Sequence, residues 1–422
     1  MAALPAAPAS NIVLSTSGGS PDWLLGPLRF AGVAAADDTI AAPLFYAALW
    51  AALILYLVVL AGAAGMPRRL AIGAVVALHL VFLLAPPLLS HDVFSYIAYA
   101  RLGEAHHLNP YVHAPVEIPA DPGFVHAGSV RAVSAYGPLF TLLTYPLSPL
   151  GVAAALWILK TIAALASLGI VWIVWRVARM LGRDPLVPAL AVGLNPLVLV
   201  HVVGGGHNEA LTVLLTMAGV ALWLGGRQAG GVVMATVATG VKASAGLVVP
   251  FLVLGRRPGA AAHAAPRERP RVVRLAAAAA AAAIVVALVG IAAFGLHALD
   301  AFSLISDNQG RTSRFSLPHK TAQLLGALLP GSAVDYRGVV RAVFAVAFAA
   351  VLLWLLWRAW RGAMDALDAI GWANFAVLAA SAWLVPWYIL WLLPFAALSR
   401  DRRLHLATLA LTAWMLAIGV PL

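Results

Sequence analysis

The sequence predicts an all-α, polytopic transmembrane helical bundle of about twelve spans, with a long first extracytoplasmic loop that carries surface helices. Three observations predict it. Of 422 residues, 63% are hydrophobic and only 10% charged, against roughly 25% charged in soluble domains. Apolar runs of about 20 residues, the length that crosses a hydrocarbon core, recur from one end to the other. The basic residues fall in short clusters between those runs rather than on one polar domain.

Reading apolar runs against charged breaks places spans near 41–64, 70–89, 152–178, 185–203 and 209–225, then near 273–295, 333–356, 370–385, 387–399 and 404–420. Residues 1–40 are expected to form an N-terminal extracytoplasmic segment, and 41–422 the membrane domain. Those first residues lack a basic stretch leading into an apolar core, so no cleaved signal peptide is expected. The stretch from Tyr136, YGPLFTLLTYPLSPLG, is too short and proline-rich to cross alone and reads as a partial or surface helix leading into the next span.

The stretch from Gly230 is long for one span and short for two. Charge decides it. Placing MPRR, WRVARMLGR, GGR, the arginine-rich loop at 256–274, WRAWR and RDRR on one side collects 17 of the 27 lysines and arginines there, which makes that side the cytoplasm. Arg227 and Arg256 then share a side, so the segment between them, which holds Lys242, reads as a short broken hairpin with both chain termini outside.

Composition also excludes classes. The formal charge of +11 finds no solvated domain on which to bind nucleic acid, so it reads as topology. There is no cysteine, hence no disulfide and no thiolate metal site. Neither GxxxxGK[ST] nor a GxGxxG after a strand is present, which argues against nucleotide chemistry on the cytoplasmic side.

With this sidedness nearly every chemically capable residue falls outside. The stretch LLSHDVFSYIAYARLGEAHHLNPY, from Leu88, follows the second apolar run and puts Asp92 where a span meets a long loop. Asp92 suits two compatible roles, an N-cap for the following helix and a general base. Tyr96 and Tyr99, at i+4 and i+7, share its helical face, a setting suited to a sugar hydroxyl. His91 precedes it, and Tyr136 joins the outer set. His207, Asn208 and Glu209 stand at the outer start of a span, where Asn208 is a capping residue or the trio binds a sugar or orients a phosphate ligand.

Lys242 is costly in an apolar stretch unless paired or solvated. Arg311, Arg314 and Lys320, with His319 beside them, run against the positive-inside tendency, and their readings are attraction to lipid headgroups, a simple solvated loop and a phosphate clamp. Trp387 and Tyr388 fit an interfacial aromatic belt or a stacking surface for a sugar. The histidines at 91, 106, 107 and 113, with Asp92 and Glu209, match no metal-ligand spacing, so neither metal nor cofactor is expected.

SHDVFSYIAYA, the NPY at Asn109, the YGPL at Tyr136, the NP at Asn195 with HNE downstream, the lysine in VKAS and the outer basic loop resemble, in order and sidedness, membrane glycosyltransferases of the GT-C class. More narrowly, they are similar to the actinobacterial polyprenol-phosphate-mannose-dependent alpha-1,6-mannosyltransferases that extend lipomannan and related glycans of the cell envelope. The resemblance runs from Tyr46 to Trp391. It implies a GT-C-like fold, a polyprenyl-phosphate-mannose donor, a lipid-linked or glycan acceptor, and transfer on the extracytoplasmic face of the plasma membrane. It further implies that Asp92 is the catalytic base of an inverting transfer. The family often has two adjacent acids here, whereas this chain has His91 before Asp92, which leaves His91 as a partner for the carboxylate.

Two other functions fit the same pattern. A lipid or glycan transporter would share the spans, but no internal repeat accompanies them and the chemistry lies on one face. A polymerase or ligase would keep the outer basic loop and use a polyprenyl-diphosphate donor.

Overall fold

A computed structural model describes residues 22–27, 38–128, 130–257, 268–299 and 312–419. Among these residues the regular elements are helices and helical turns, with no strand ladder. The expected N-terminal segment lies outside them apart from residues 22–27, which form one helical turn, and residues 38–40.

Helix α1 (Asp38–Gly62) and α2 (Arg68–Leu84) are separated by a tight turn ending at Pro67. Helix α2 stops at Ala85, which is extended at ψ 155° because Pro86 follows and disfavours helical backbone before it. Helix α3 (Asp92–Glu104), helix α4 (Pro138–Thr144) and a 3-10 run lead into the 30-residue α5 (Gly151–Met180). Helix α6 (Leu186–Gly193) and a π-helical segment (Val198–Gly204) meet at a 60° bend. Pro196 supplies the break, having no N–H to donate. The Asn195 side chain accepts from the Leu197 N–H at 3.0 Å and holds the turn.

Then follow α7 (Glu209–Leu224), α8 (Gln228–Thr239), α9 (Val249–Leu254) and α10 (Glu268–Phe294). The C-terminal part holds α11 (Leu317–Leu328), α12 (Ala333–Trp360), α13 (Ala366–Ala380), α14 (Ile389–Leu398) and α15 (Arg402–Gly419).

Four helical runs are long and apolar enough to cross a membrane: Pro43–Gly65, Pro138–Met180, Arg269–Phe294 and Ala333–Trp360, with the bent pair as a fifth if counted as one span. The chain is a membrane protein. Fewer helices of crossing length appear than the expected twelve, because Pro and Gly interrupt the remaining apolar runs and leave helices of 10–17 residues. Helix α12 shows a lipid-facing surface directly: Val339, Val343, Val346 and Leu353 are each between 60% and 70% exposed.

The broken hairpin is present. Arg257 donates to the Leu224 carbonyl, so the chain returns after α9 to the end of the bundle where α7 finished. Helices α7 and α8 touch backbone to backbone, since a Cβ on Gly231 would lie 2.5 Å from the Gly219 carbonyl. The tip of the hairpin is held at the opposite end. The Gly137 N–H donates to the Val241 carbonyl at 3.1 Å, and a Cβ on Gly137 would meet the Gly240 carbonyl at 2.2 Å. The glycine of YGPL therefore brings Tyr136 and Lys242 together.

Helix α3 is more enclosed than a surface helix. Val93, Phe94, Tyr96 and Ile97 form a separate small core with Phe140 of α4 and Leu156 and Leu159 of α5. The first outer loop folds over it. Arg101 Nε binds Asp121 at 2.8 Å, His106 Nε2 meets the same carboxylate at 2.8 Å, and Asp121 itself is buried. The NPY residues are also structural. Asn109 donates to the Phe294 carbonyl at 2.7 Å and the Tyr111 hydroxyl to the Tyr136 carbonyl at 2.8 Å.

Candidate active site

Asp92 is the first residue of α3, one place inside the expected cap. His91 holds the cap position without a side-chain bond, and Ser90 Oγ accepts the Asp92 N–H at 3.2 Å. The approach is strained. Leu89 has φ 58°, the left-handed region that costs a residue with a Cβ about 1–3 kcal/mol, and it is held there by the Leu88 N–H bonding the Gly204 carbonyl at 3.3 Å. That turn aims Ser90 and Asp92 at the loop after the π segment.

His207 receives them. Its Nδ1 lies 2.6 Å from the His201 carbonyl, an oxygen that can only accept, so the proton is on Nδ1 and Nε2 carries the lone pair. Nε2 then accepts from the Ser90 hydroxyl at 3.1 Å and stands 3.6 Å from Asp92 Oδ2. Trp387 stacks on the other face of the imidazole with ring centroids 3.9 Å apart. Among the described residues neither oxygen of Asp92 accepts a hydrogen bond, and 32% of its side chain is still open to the mouth of the site. Burial pushes this carboxyl up to about 6, Lys242 pulling it down and Glu209 adding to the rise.

The second half of the site comes from the start of α7 and the hairpin tip. Lys242 pairs with Glu209, lies 3.5 Å from Asn208 Oδ1, and sits 5.2 Å above the Tyr388 ring and 5.9 Å from that of Tyr136. The Tyr96 hydroxyl reaches Asn208 Oδ1 at 3.4 Å and packs edge-on against Tyr136 and Phe140. Asn208 occupies the cap of α7, yet its side chain does not cap. Among the described residues two polar atoms here are buried with no partner: Asn208 Nδ2 and Glu209 Oε2. A buried donor and acceptor left unsatisfied cost about 1–3 kcal/mol each, which a ligand with hydroxyl groups would relieve.

Beside Trp387 lies a cavity of about 200 Å³, with His201, Arg314, Leu89, Tyr46, Leu49 and Met415 in its wall. Arg314 is brought there by the chain around it. The Ser313 N–H bonds the Ala382 carbonyl at 2.9 Å, and Trp414 Nε1 donates to the Phe315 carbonyl at 2.8 Å. Among the described residues His201 Nδ1 is buried without a partner.

The structure thus assembles Asp92, Tyr96, Tyr136, His207, Asn208, Glu209, Lys242, Trp387 and Tyr388, with Arg314 one cavity away. Other candidates are placed elsewhere. His91 Nδ1 turns to the His126 carbonyl at 3.0 Å instead of partnering Asp92, because the outer loop packs over the cap. The Tyr99 hydroxyl donates to the Ala132 carbonyl at 2.8 Å and fastens that loop, one turn too far along α3 to reach the carboxylate. His319 and Lys320 are on helix α11, not in a loop; Ser316 caps it, accepting the His319 N–H at 3.2 Å, and His319 faces Arg337. Arg311 lies outside the described residues. Trp387 stacks on His207 and Tyr388 lies under Lys242, so both are beside Asp92's neighbours.

Ser90 and His201 escaped the sequence reading. Ser90 sits two residues before Asp92, a spacing at which a serine hydroxyl bonds a backbone N–H, and this was the signal available. His201 lies in an unbroken apolar run, where nothing distinguishes it. Among the described residues no group of three His, Asp or Glu side chains is arranged to hold a metal.

Residues 18–256 match the family described as alpha-(1->6)-mannopyranosyltransferase, N-terminal domain, and residues 319–421 match the MptB C-terminal domain. The chain is 32% identical over 360 residues to alpha-(1->6)-mannopyranosyltransferase A of Mycobacterium tuberculosis, covering 80% of this chain and 67% of that protein. It is 30% identical over 199 residues to the protein of the same name from Corynebacterium glutamicum, covering 45% of this chain and 38% of that one. A second alpha-(1->6)-mannopyranosyltransferase of M. tuberculosis is 33% identical over 156 residues, 35% of this chain and 26% of that protein. No solved structure matches the chain.

Proposed function

The chain belongs to the alpha-(1->6)-mannopyranosyltransferase family and is a glycosyltransferase, and from that premise we propose that it moves mannose from a polyprenyl-phosphate donor to a lipid-linked or glycan acceptor at the Asp92 site. The bundle crosses the plasma membrane about twelve times when its short apolar helices are paired across the bilayer. Asp92 then faces the extracytoplasmic side, as the clustered arginines at the other end of the helices indicate.

One observation carries the reading. Asp92 is a carboxylate with no hydrogen-bond partner among the described residues, raised to about 6, within electrostatic reach of the Lys242–Glu209 pair whose neighbourhood also holds Asn208 Nδ2 and Glu209 Oε2 without partners among the described residues. An acceptor hydroxyl held against Asp92 gives it a proton while its oxygen bonds the anomeric carbon. The bond from that carbon to the phosphate oxygen breaks on the opposite face, and polyprenyl phosphate departs, inverting the configuration. Asn208 and Glu209 orient sugar hydroxyls by donating and accepting respectively. Arg314 sits where the departing phosphate develops charge, with Arg311 and Lys320 on the same outer stretch, and preplaced charge there lowers the barrier. Lys242 pairs with Glu209 and lowers the Asp92 carboxyl against the effect of burial. The walls of Leu49 and Met415 suit an isoprenoid tail.

The test incubates membranes carrying the chain with labelled polyprenyl-phosphate mannose and an oligomannoside. Elongated glycan in the wild type and none with Asp92→Asn is expected. Movement of label across the bilayer without a new bond supports a transporter. Product only from a diphosphate donor supports a polymerase or ligase.

A further inference from the structure

A second apolar recess lies at the end of the bundle away from Asp92. Helix α2 runs from Arg68 to Leu84 beside the Asp92 turn, and Lys160 of α5 donates to the Ala85 carbonyl there. Arg176 lies 16 residues further along α5, about 24 Å of helix from that point. Around it are two grooves. One, of about 810 Å³, runs between α2, α5 and α6, walled by Ile72, Val75, Leu168 and Leu190. The other, of about 420 Å³, runs between α5 and α7, walled by Ile173, Ala218 and Leu222. Both fall in the range of about 300–1,000 Å³ that encloses an apolar ligand.

The grooves share one wall: Trp172, Arg176 and Met180 line both. The charge at their common mouth is one-sided. The Arg176 guanidinium lies 5.1 Å over the Trp172 ring, Arg179 lines the larger groove and Arg227 the smaller. Arg68 lies 5.8 Å over Trp175 and 3.9 Å from Asp184. Among the described residues Arg176, Arg179 and Arg227 have no carboxylate partner. Two chain-sized grooves that diverge from one cationic ridge match a molecule with two apolar chains joined at one anion.

We propose that this ridge binds an anionic two-chain phospholipid, with one acyl chain in each groove and its phosphate on Arg176 and Arg179. Trp172 lies under the Arg176 guanidinium, and an indole, with an apolar face and a polar edge, suits the boundary between chains and headgroup. Basic recesses between membrane helices attract anionic headgroups, each arginine near the surface adding about 1 kcal/mol. The site is independent of the transfer reaction.

Native mass spectrometry of the full chain in detergent tests it, titrating phosphatidylglycerol, phosphatidylcholine, one-chain lysophosphatidylglycerol and the chain-free headgroup glycerophosphoglycerol. Phosphatidylglycerol is expected to stay bound most, with lysophosphatidylglycerol weaker. Arg176→Gln and Arg179→Gln should each weaken it roughly fivefold, the factor equivalent to about 1 kcal/mol. Ile72→Trp, on an exposed groove wall, should weaken the two-chain lipid while sparing the headgroup alone. Equal retention of phosphatidylcholine, or binding unchanged in both arginine variants, overturns the proposal. If glycerophosphoglycerol competes as well as the intact lipid, the ridge is a phosphate site and the grooves do not hold chains.

Discussion

Asp92 and His207 face each other at 3.6 Å between Oδ2 and Nε2, and they are not an ion pair. Burial pushes the imidazolium down to about 3, so the ring is neutral near pH 7. Its Nε2 lone pair is already occupied by the Ser90 hydroxyl. The carboxylate is therefore flanked by a neutral ring that neither neutralises it nor donates to it. A base left without a donor keeps its affinity for a substrate proton.

Asp92→Asn removes that affinity at nearly constant shape. General-base catalysis contributes about 10²- to 10⁴-fold, so transfer should fall by at least two orders of magnitude while the protein stays folded. The measurement is initial rate in membranes at matched protein level. A variant within fivefold of wild type removes Asp92 from the chemistry.

The rate should rise with pH through about 6, since the reactive form of Asp92 is the carboxylate and its carboxyl is raised to about that value. The neighbours give the direction of further shifts. Glu209 raises this value, so Glu209→Gln should move the acid limb to lower pH. Lys242 lowers it, so Lys242→Gln should move the limb to higher pH. Profiles of kcat/KM that move together, or not at all, contradict this arrangement.

The chemical residues were legible in the sequence where charge interrupts an apolar run. Lys242 stood out because an ionisable group in an apolar stretch is costly without a partner, and Asp92 and Glu209 because each sits where an apolar run meets a polar loop. Spacing along one helix was less informative. Tyr96 and Tyr99 both follow Asp92 on the same face, yet only Tyr96 reaches the site, because the outer loop claims the Tyr99 hydroxyl. The aromatic pair Trp387 and Tyr388 looks identical in sequence whether it meets lipid or an imidazole. Only the tertiary fold, through the 3.9 Å stack on His207, separates the two. Hydropathy counts apolar residues and so does not register that Pro196 bends the backbone inside the expected 185–203 span.

Arg314 should govern use of the donor. Its cavity neighbours are Tyr46, His201, Trp387 and apolar side chains, so a phosphate there would take a charge-assisted hydrogen bond from the guanidinium in a mostly apolar setting. Such bonds contribute about 1.5–3 kcal/mol, equivalent to roughly a 10- to 100-fold loss in donor kcat/KM for Arg314→Gln. The acceptor KM should stay within about twofold, because uniform loss of one ligand's binding leaves the other unaffected. Equal effects on both substrates would place Arg314 outside a donor phosphate site.

Asp121 should matter for stability rather than for the acid limb of the rate. Burial alone would raise its carboxyl, but hydrogen bonds from Arg101, His106 and the Gly123 N–H outweigh burial and hold it below the ordinary 3.8. A carboxyl lowered on folding contributes stability that is complete above 3.8 and is lost as pH falls below it. Only 1% of the Asp121 side chain is exposed, and Arg101 also reaches the Ser148 carbonyl at 3.1 Å, so the pair ties the outer loop to the segment before α5. Asp121→Asn strands the mostly buried guanidinium, a change that costs about 3–5 kcal/mol when one partner of such a pair is removed. Thermal inactivation near pH 7 should therefore set in several degrees lower. His106→Gln should cost less, since 36% of that side chain is exposed. Equal inactivation midpoints for Asp121→Asn and wild type would show that the loop is held by Tyr99, Asn109 and Tyr111 alone.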